Sequence, residues 1–517
     1  AGWVISRIPF NDQTEFHVRG LRYEPDFEKS VALLRAFVDG LKRKRERRAG
    51  WFNIHPKVAV PPSLTNTGVL CVGAVGAGKT NFLLPFLQQI AASPHRSFIL
   101  DIKGDFTEKL LYPDDRFILI APWDERGWRW DIAKDINSLS QARLFAESCV
   151  PPSEDPIWST AARQIFAGLM NYLCLTKPGQ WDLLDFIHFT RLSDEELVRI
   201  VHDGNPDAER TLSSLQKENR TGQSIMINLT AFMGPLADLA WAWREGRNLP
   251  AFSIDEWLSD GSSLPKGIVL QSRRRFGEVS EALTNAMVTL LTDRIVDVAF
   301  PEADARKSDW RLYMSLDEIA QSRKIEALQS LSSAGRSKGL HLLVGIQSIT
   351  QLKKIYGPEF ADLLYTNLLL RYIGRTPDGD SAEWLASKFG QRHIERLADS
   401  VTYSASEKGP STGFSWHVEN RDVLLPSQLG TELGPDFRKG HIRALLSVAG
   451  FPYVLRLAWP KAHCRSVRPA LLEAPWVVGR AEEPDVPEGP ADGSAERAWA
   501  RLFERGGREP SPSVEEA

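Results

Sequence analysis

Eight consecutive residues, Gly73-Ala74-Val75-Gly76-Ala77-Gly78-Lys79-Thr80, follow the pattern G-x-x-x-x-G-K-[S/T]. Each residue type has a task in holding a nucleoside triphosphate. Glycines let main-chain N–H groups close around phosphate oxygens, and a helix beginning at the end of the loop adds positive potential. An ammonium at Lys79 reaches the β- and γ-phosphates, and the Thr80 hydroxyl is a ligand for Mg²⁺. The implied chemistry is binding of ATP with Mg²⁺. A plain Gly-rich turn could carry the same letters, but the flanks are right for a cradle. The apolar run Val69–Val72 precedes it, and the helical pattern Asn81–Ile90 follows.

Two further stretches supply what such a cradle lacks. Arg311-Leu-Tyr-Met-Ser-Leu-Asp317-Glu318 is an apolar strand that ends in two acids. Asp317 stands where a carboxylate holds Mg²⁺ through water, and Glu318 is placed to act as base on an attacking water. Strand ends often carry acids, so this segment takes its weight from the P-loop before it. Gly339-Leu-His-Leu-Leu-Val-Gly-Ile-Gln347 is another apolar strand, ending in an amide. On a neighbouring strand Gln347 orients water against the γ-phosphate; the plainer reading is a polar strand cap.

These residues must be positioned by a sheet. Apolar strand candidates are Val69–Val72, Phe98–Leu100, Phe117–Ile120, Ile268–Leu270, Leu312–Leu316, Leu340–Ile346, Leu368–Ile373 and Ile442–Val448. Short continuous apolar runs separated by helical patterns predict an α/β domain, with a mostly parallel sheet and helices on both faces. Between residues 139 and 250 the strand pattern gives way to helical stretches. One of these opens with Ser193 and Glu196 at capping-box spacing. The expected organisation is an N-terminal segment (1–57), a nucleotide-binding domain in two parts (58–138 and 251–475), an all-α domain between them (139–250) and a tail (476–517). The N-terminal segment contains the basic run Lys42–Arg48, which reads as a solvated helix end or as a contact for DNA phosphates or anionic lipid.

Composition narrows the class. The chain has 517 residues, 43% hydrophobic and 25% charged, which suits soluble globular domains with sizeable cores. A net charge of −3 puts any nucleic-acid site in a local patch rather than in the whole surface. Four cysteines lie far apart without metal-ligand spacing, which favours a reducing compartment. No stretch reaches the roughly 18 apolar residues of a membrane span, and the start has no signal-peptide pattern. Residues 481–517 hold ten acidic against four basic residues, a net −6, and are expected to be largely disordered. Within them Trp499, Leu502 and Phe503 form one apolar face of a short helical pattern, suited to a partner's groove or to nothing at all.

Residues 58–470 resemble the type IV coupling proteins of conjugation, nearest the TraD-like branch. The resemblance is carried by VGAVGAGKT (72–80), ILDIKGDF (99–106), APWDERGWRWD (121–131), EDPIWSTAARQIFA (154–167), FSIDEWL (252–258), LYMSLDEIA (312–320), GRSKGLHLLVGIQSITQLKKIYG (335–357) and RTPDGDSAEWLASKFG (375–390). It implies a RecA-like P-loop NTPase domain with an inserted all-α domain, assembled as a homohexameric ring. DNA, preferably single-stranded and without sequence preference, would pass through the channel, with ATP bound between subunits. It further implies relaxase, accessory DNA-processing proteins and secretion-channel components as partners, at the cytoplasmic face of the bacterial inner membrane. Family members begin with two membrane helices, which this sequence does not show. An arginine finger from a neighbouring subunit is worth about 10³–10⁵ in rate in related enzymes. The resemblance points to Arg375, with Arg336 and Arg273 as competitors. The rival readings are an FtsK/HerA-like translocase for segregation or packaging, a secretion ATPase that does not touch DNA, and a docking platform without hydrolysis. The intact Lys79, Thr80, Asp317 and Glu318 weigh against the last.

Overall fold

A computed structural model describes residues 15–41, 51–153, 155–189, 192–208, 211, 220–305, 311–321, 323–402, 411–462 and 464–478. The basic run Lys42–Arg48 and the Trp499/Leu502/Phe503 cluster lie outside them. The chain divides into two compact units. The first comprises the described residues within Ala1–Ala121, Arg126–Trp130 and Leu249–Leu472; the second those within Pro122–Glu125, Asp131–Asn248 and Glu473–Ala517. The longest stretch of the second unit is Asp131–Asn248. Among the described residues no helix is long and apolar enough to cross a membrane.

The strands of the first unit are, in chain order, β1 (Glu15–Arg19), β2 (Arg22–Glu24), β3 (Phe52–His55), β4 (Val58–Val60), β5 (Val69–Val72), β6 (Arg96–Asp101) and β7 (Ile118–Ile120). There follow β8 (Arg129–Trp130), β9 (Ala251–Phe252), β10 (Gly267–Gln271), β11 (Leu312–Leu316), β12 (Leu340–Ile346) and β13 (Leu370–Ile373). The last are β14 (Gln391–Thr402), β15 (Ser411–Asp422), β16 (Gly434–Asp436), β17 (His441–Val448) and β18 (Tyr453–Pro460). One large sheet runs β2-β18-β17-β13-β5-β12-β11-β6-β10-β7, with β16 added beside β17. From β13 to β7 every pairing is parallel, whereas β17 and β18 join antiparallel. All residues of β5, β6, β7, β10, β11, β12 and β13 are buried. That is the condition of parallel strands covered on both faces, and it is why they read as unbroken apolar runs.

A separate three-stranded sheet, β1-β14-β15, is built on a hairpin whose two strands have 12 residues each. Its register is continuous from Gln391↔Asp422 to Thr402↔Ser411. At an antiparallel rise of about 3.4 Å per residue each strand extends roughly 40 Å.

In the second unit the helix Pro156–Thr176 packs against Leu139–Cys149, Asp194–Gly204 and Arg220–Glu245. Ile165, Phe166, Leu169, Met170, Phe186 and Val201 fill the centre. Ser193 and Glu196 form the reciprocal capping box at the start of Asp194–Gly204. That helix ends against the helix Pro156–Thr176, where the Asn171 side chain donates from Nδ2 to the Gly204 carbonyl at 2.8 Å. The eight apolar segments read as strands all lie in the large sheet.

Candidate nucleotide-binding site

The order β5-β12-β11-β6 sets four strand ends side by side. Because these strands are parallel, whatever follows each one emerges at the same edge, the usual ligand crevice of an open α/β sheet. After β5 comes the loop Gly73–Gly78, then the helix Lys79–Ala91. After β12 comes Gln347, after β11 come Asp317 and Glu318, and after β6 comes the loop Ile102-Lys103-Gly104.

The P-loop is held from beneath by its neighbours. Gly73 N–H donates to the Ile346 carbonyl (3.1 Å), Ala74 N–H to the Arg375 carbonyl (2.9 Å), and Ala77 N–H to the Ala74 carbonyl (3.1 Å). Tyr372 Oη donates to the Ala77 carbonyl at 3.0 Å. Gly78 has φ +90°, and a Cβ there would fall 2.7 Å from Ile442 and 2.8 Å from Tyr372 Oη, so both conformation and space demand glycine. Val75, by contrast, is exposed at the loop tip, and Gly76 meets nothing nearby. Lys79 is buried, and its Nζ donates to the Gly73 carbonyl at 2.6 Å, folding the side chain back over the loop. Burial lowers its pKa, while the carboxylates of Asp317 and Glu318 act to raise it.

Thr80, Asp101, Lys103, Asp105, Asp317 and Glu318 line one cleft. Asp317 accepts the Glu318 N–H on Oδ1 at 3.0 Å. Burial, followed by the adjoining Glu318 charge, pushes its pKa up to about 6. Two anions held this close in a dry site call for a cation. The donor set of one hydroxyl and carboxylate oxygens suits hard, oxygen-seeking Mg²⁺. Glu318 is 2% exposed and sits at φ +57°, a left-handed conformation costly for a residue with a Cβ. Its Oε1 accepts from Gln347 Nε2 at 2.5 Å. Lys103 Nζ ion-pairs with the same oxygen.

The structure thus brings Gly73–Thr80, Asp317, Glu318 and Gln347 together at one edge. The three arginines have different surroundings. Arg375 follows β13 and its carbonyl is bonded to its own P-loop. Arg273 is engaged within the chain, its Nη2 donating to the Ala470 carbonyl at 2.9 Å. Arg336 is exposed. Lys103, Tyr372 and Gly345 carry no distinctive signal by type. Lys103 does lie within ILDIKGDF, where a strand ends at Asp101 and a basic residue follows.

Residues 53–442 match the family of the type IV secretion-system coupling protein DNA-binding domain. The chain belongs to that family. It is 25% identical over 350 residues to the coupling protein TraD of Escherichia coli K12, covering 66% of this chain and 46% of TraD. It is 20% identical over 296 residues to the conjugal transfer protein TraG of Agrobacterium fabrum, covering 54% of this chain and 42% of TraG. The chain therefore spans less than half the length of these curated relatives. Among solved structures it resembles the bacterial conjugative coupling protein TrwBdeltaN70, with TM-score 0.69 and 21% identity over 89% of this chain and 97% of that one. TrwB in complex with ADP and Mg²⁺ is similar at TM-score 0.67 and 20% identity, over 89% and 99%. This coupling-protein fold is the RecA-like α/β architecture with an all-α unit inserted.

Proposed function

We propose that this coupling-protein chain hydrolyses ATP with Mg²⁺ and uses the energy to move DNA toward a type IV secretion channel. One observation carries the hydrolytic part: Lys79, Thr80, Asp317, Glu318 and Gln347 converge at the ends of three adjacent parallel strands. In this reading the P-loop from Gly73 to Gly78 and Lys79 hold the phosphates, and Thr80 and Asp317 hold Mg²⁺. Glu318 takes the proton of the attacking water. Bound Mg²⁺ would neutralise charge on the β- and γ-phosphates. That TrwB has been seen with ADP and Mg²⁺ supports the choice of ligand.

The DNA part is supported by family membership and by the transfer roles in the relatives' names. It extends to a relaxase-bound DNA substrate, secretion-channel contacts, a homohexameric ring and a place at the cytoplasmic face of the inner membrane. In such a ring an arginine from the neighbour completes each site. Arg375, whose main chain starts beside the P-loop, is the first candidate, and the exposed Arg336 is its competitor.

The test is ATP turnover with and without single-stranded DNA, at low and moderate salt and over a range of protein concentration. Turnover should rise with DNA and with concentration. Equal activity at every concentration would rule out a shared site, and indifference to DNA at both salts would rule out the motor. Mixing Arg336→Ala or Arg375→Ala protein with Lys79→Ala protein identifies the finger, since only a residue acting across subunits regains activity.

A further inference from the structure

Glu318 is held on one side only. Oε1 takes both the Lys103 ion pair and the Gln347 amide. Oε2 is buried and hydrogen-bonds to no described residue. A carboxylate that is 2% exposed, next to Asp317 and in a left-handed backbone conformation, would not keep one orientation unaided. The nearby Lys79 makes no bond to Glu318 and instead donates its Nζ to the Gly73 carbonyl at 2.6 Å.

Lys103 is presented by a turn that the sequence makes rigid. Asp101, fully buried at the end of β6, accepts Gly104 N–H on Oδ1 at 2.8 Å. Its Oδ2 accepts the Thr107 N–H and hydroxyl, each at 2.7 Å. Both oxygens are therefore spent on folding the chain back between Asp101 and Thr107, with Gly104 at φ +83° making the reversal. β6 and β11 are direct neighbours, with Leu100 opposite Leu316. The residues just beyond the two strands thus emerge together, which brings Lys103 to Glu318. The ammonium end is half exposed although its partner is buried. This is therefore not a pair of two solvated surface charges, of the kind worth little.

We infer that Lys103 is a positioning residue for the hydrolysis proposed above. With Gln347 it fixes Glu318 by Oε1, leaving Oε2 as the oxygen that accepts the proton of the attacking water. The inference rests on the hydrolytic reading, and it differs from a role as a phosphate ligand, which would act on nucleotide affinity instead.

The experiment compares wild type, Lys103→Met and Lys103→Arg in the full chain. It follows steady-state ATP turnover together with equilibrium binding of ADP and of a non-hydrolysable ATP analogue. Lys103→Met should lower kcat roughly ten- to a hundredfold, the scale on which small misplacements of a reacting group act. KM, the two affinities and the melting temperature should stay the same, and Lys103→Arg should recover most of the loss. Unchanged kcat in Lys103→Met overturns the inference. A selective loss of affinity for the ATP analogue over ADP also overturns it, in favour of a direct phosphate contact. A separate measurement does not depend on turnover. Reductive methylation of Lys103, followed by mass spectrometry, should be slower in wild type than in Glu318→Ala. Equal rates sink the pairing itself, whereas a wild type that pairs but hydrolyses nothing sinks the proposed function.

Discussion

Gly345, the last residue but one of β12, lies directly against the Asp317 carboxylate: a Cβ on it would come within 1.9 Å of Oδ1. Two adjacent strands can place a carboxylate at this depth only because one of them omits a side chain. Gly345→Ala should push Asp317 aside, weakening Mg²⁺-dependent nucleotide binding at least tenfold. Overpacking of this kind also costs about 1–3 kcal/mol of stability. Nucleotide titrations at several Mg²⁺ concentrations, with thermal melts alongside, separate the two effects.

Lys79→Ala and Glu318→Gln should fail differently. The first removes a charge that meets ground-state phosphate, so nucleotide binding itself falls. The second keeps the shape of the carboxylate but not its basicity, so ATP stays bound while turnover drops about 10²–10⁴-fold. Binding and single-turnover assays on the two proteins check this. Normal hydrolysis by Glu318→Gln would assign the base to another residue.

Tyr372→Phe deletes only the hydroxyl that bonds the Ala77 carbonyl. The ring keeps its stacking on Phe82, centroids 4.8 Å apart, and its edge contact with Trp459 at 5.0 Å. A buried acceptor left without this donor costs about 1–3 kcal/mol. The melting temperature should fall, and nucleotide affinity should weaken several-fold as the loop loosens. Unchanged affinity with a lowered melting temperature would confine Tyr372 to stability.

His341 sets a pH dependence. It is buried on β12, 4.2 Å between centroids from the Tyr313 ring, with Nδ1 2.9 Å from Thr65 Oγ1. Burial holds its pKa well below the usual histidine range, with Arg311 and His95 acting in the same direction. The unfolded chain takes up a proton below about pH 6.5 that the native state refuses. Its contribution to stability is therefore complete above that pH and is lost as pH falls, by up to about 1.4 kcal/mol per unit. Melting temperatures from pH 8 to pH 5 should fall more steeply for wild type than for His341→Gln. His55, whose pKa burial also lowers, leaves part of the slope in the variant.

Much of the sheet was legible because its parallel strands are buried on both faces and so appear as apolar runs. Boundaries slipped where a buried residue belongs to the preceding element: Leu368 caps the helix Pro358–Asn367, and the strand begins at Leu370. The hairpin β14–β15 was not seen. Arg392, His393, Glu395 and Arg396 interrupt any apolar run, and Trp416 and Val418 are exposed. Within the site, residues that recognise phosphate by type and spacing stood out, and their convergence followed from strand order. Lys103 did not, because its partner is chosen by β6 lying beside β11, a relation between residues 215 apart in the chain. Nor does the sequence show that Arg375 starts next to its own P-loop, which follows only from the pairing of β13 with β5.

The position of β5 has a consequence for how the protein is made. Both of its partners come late, with Val69 paired to Leu343 on one side and to Leu370 on the other. At synthesis rates of about 5–20 residues per second, the P-loop strand waits tens of seconds on the ribosome with neither edge covered. A chain cut short between residues 81 and 339 carries every letter of the phosphate-binding motif and neither strand that flanks β5. Nascent-chain pulldowns on nucleotide resin should therefore recover only products that extend past β13.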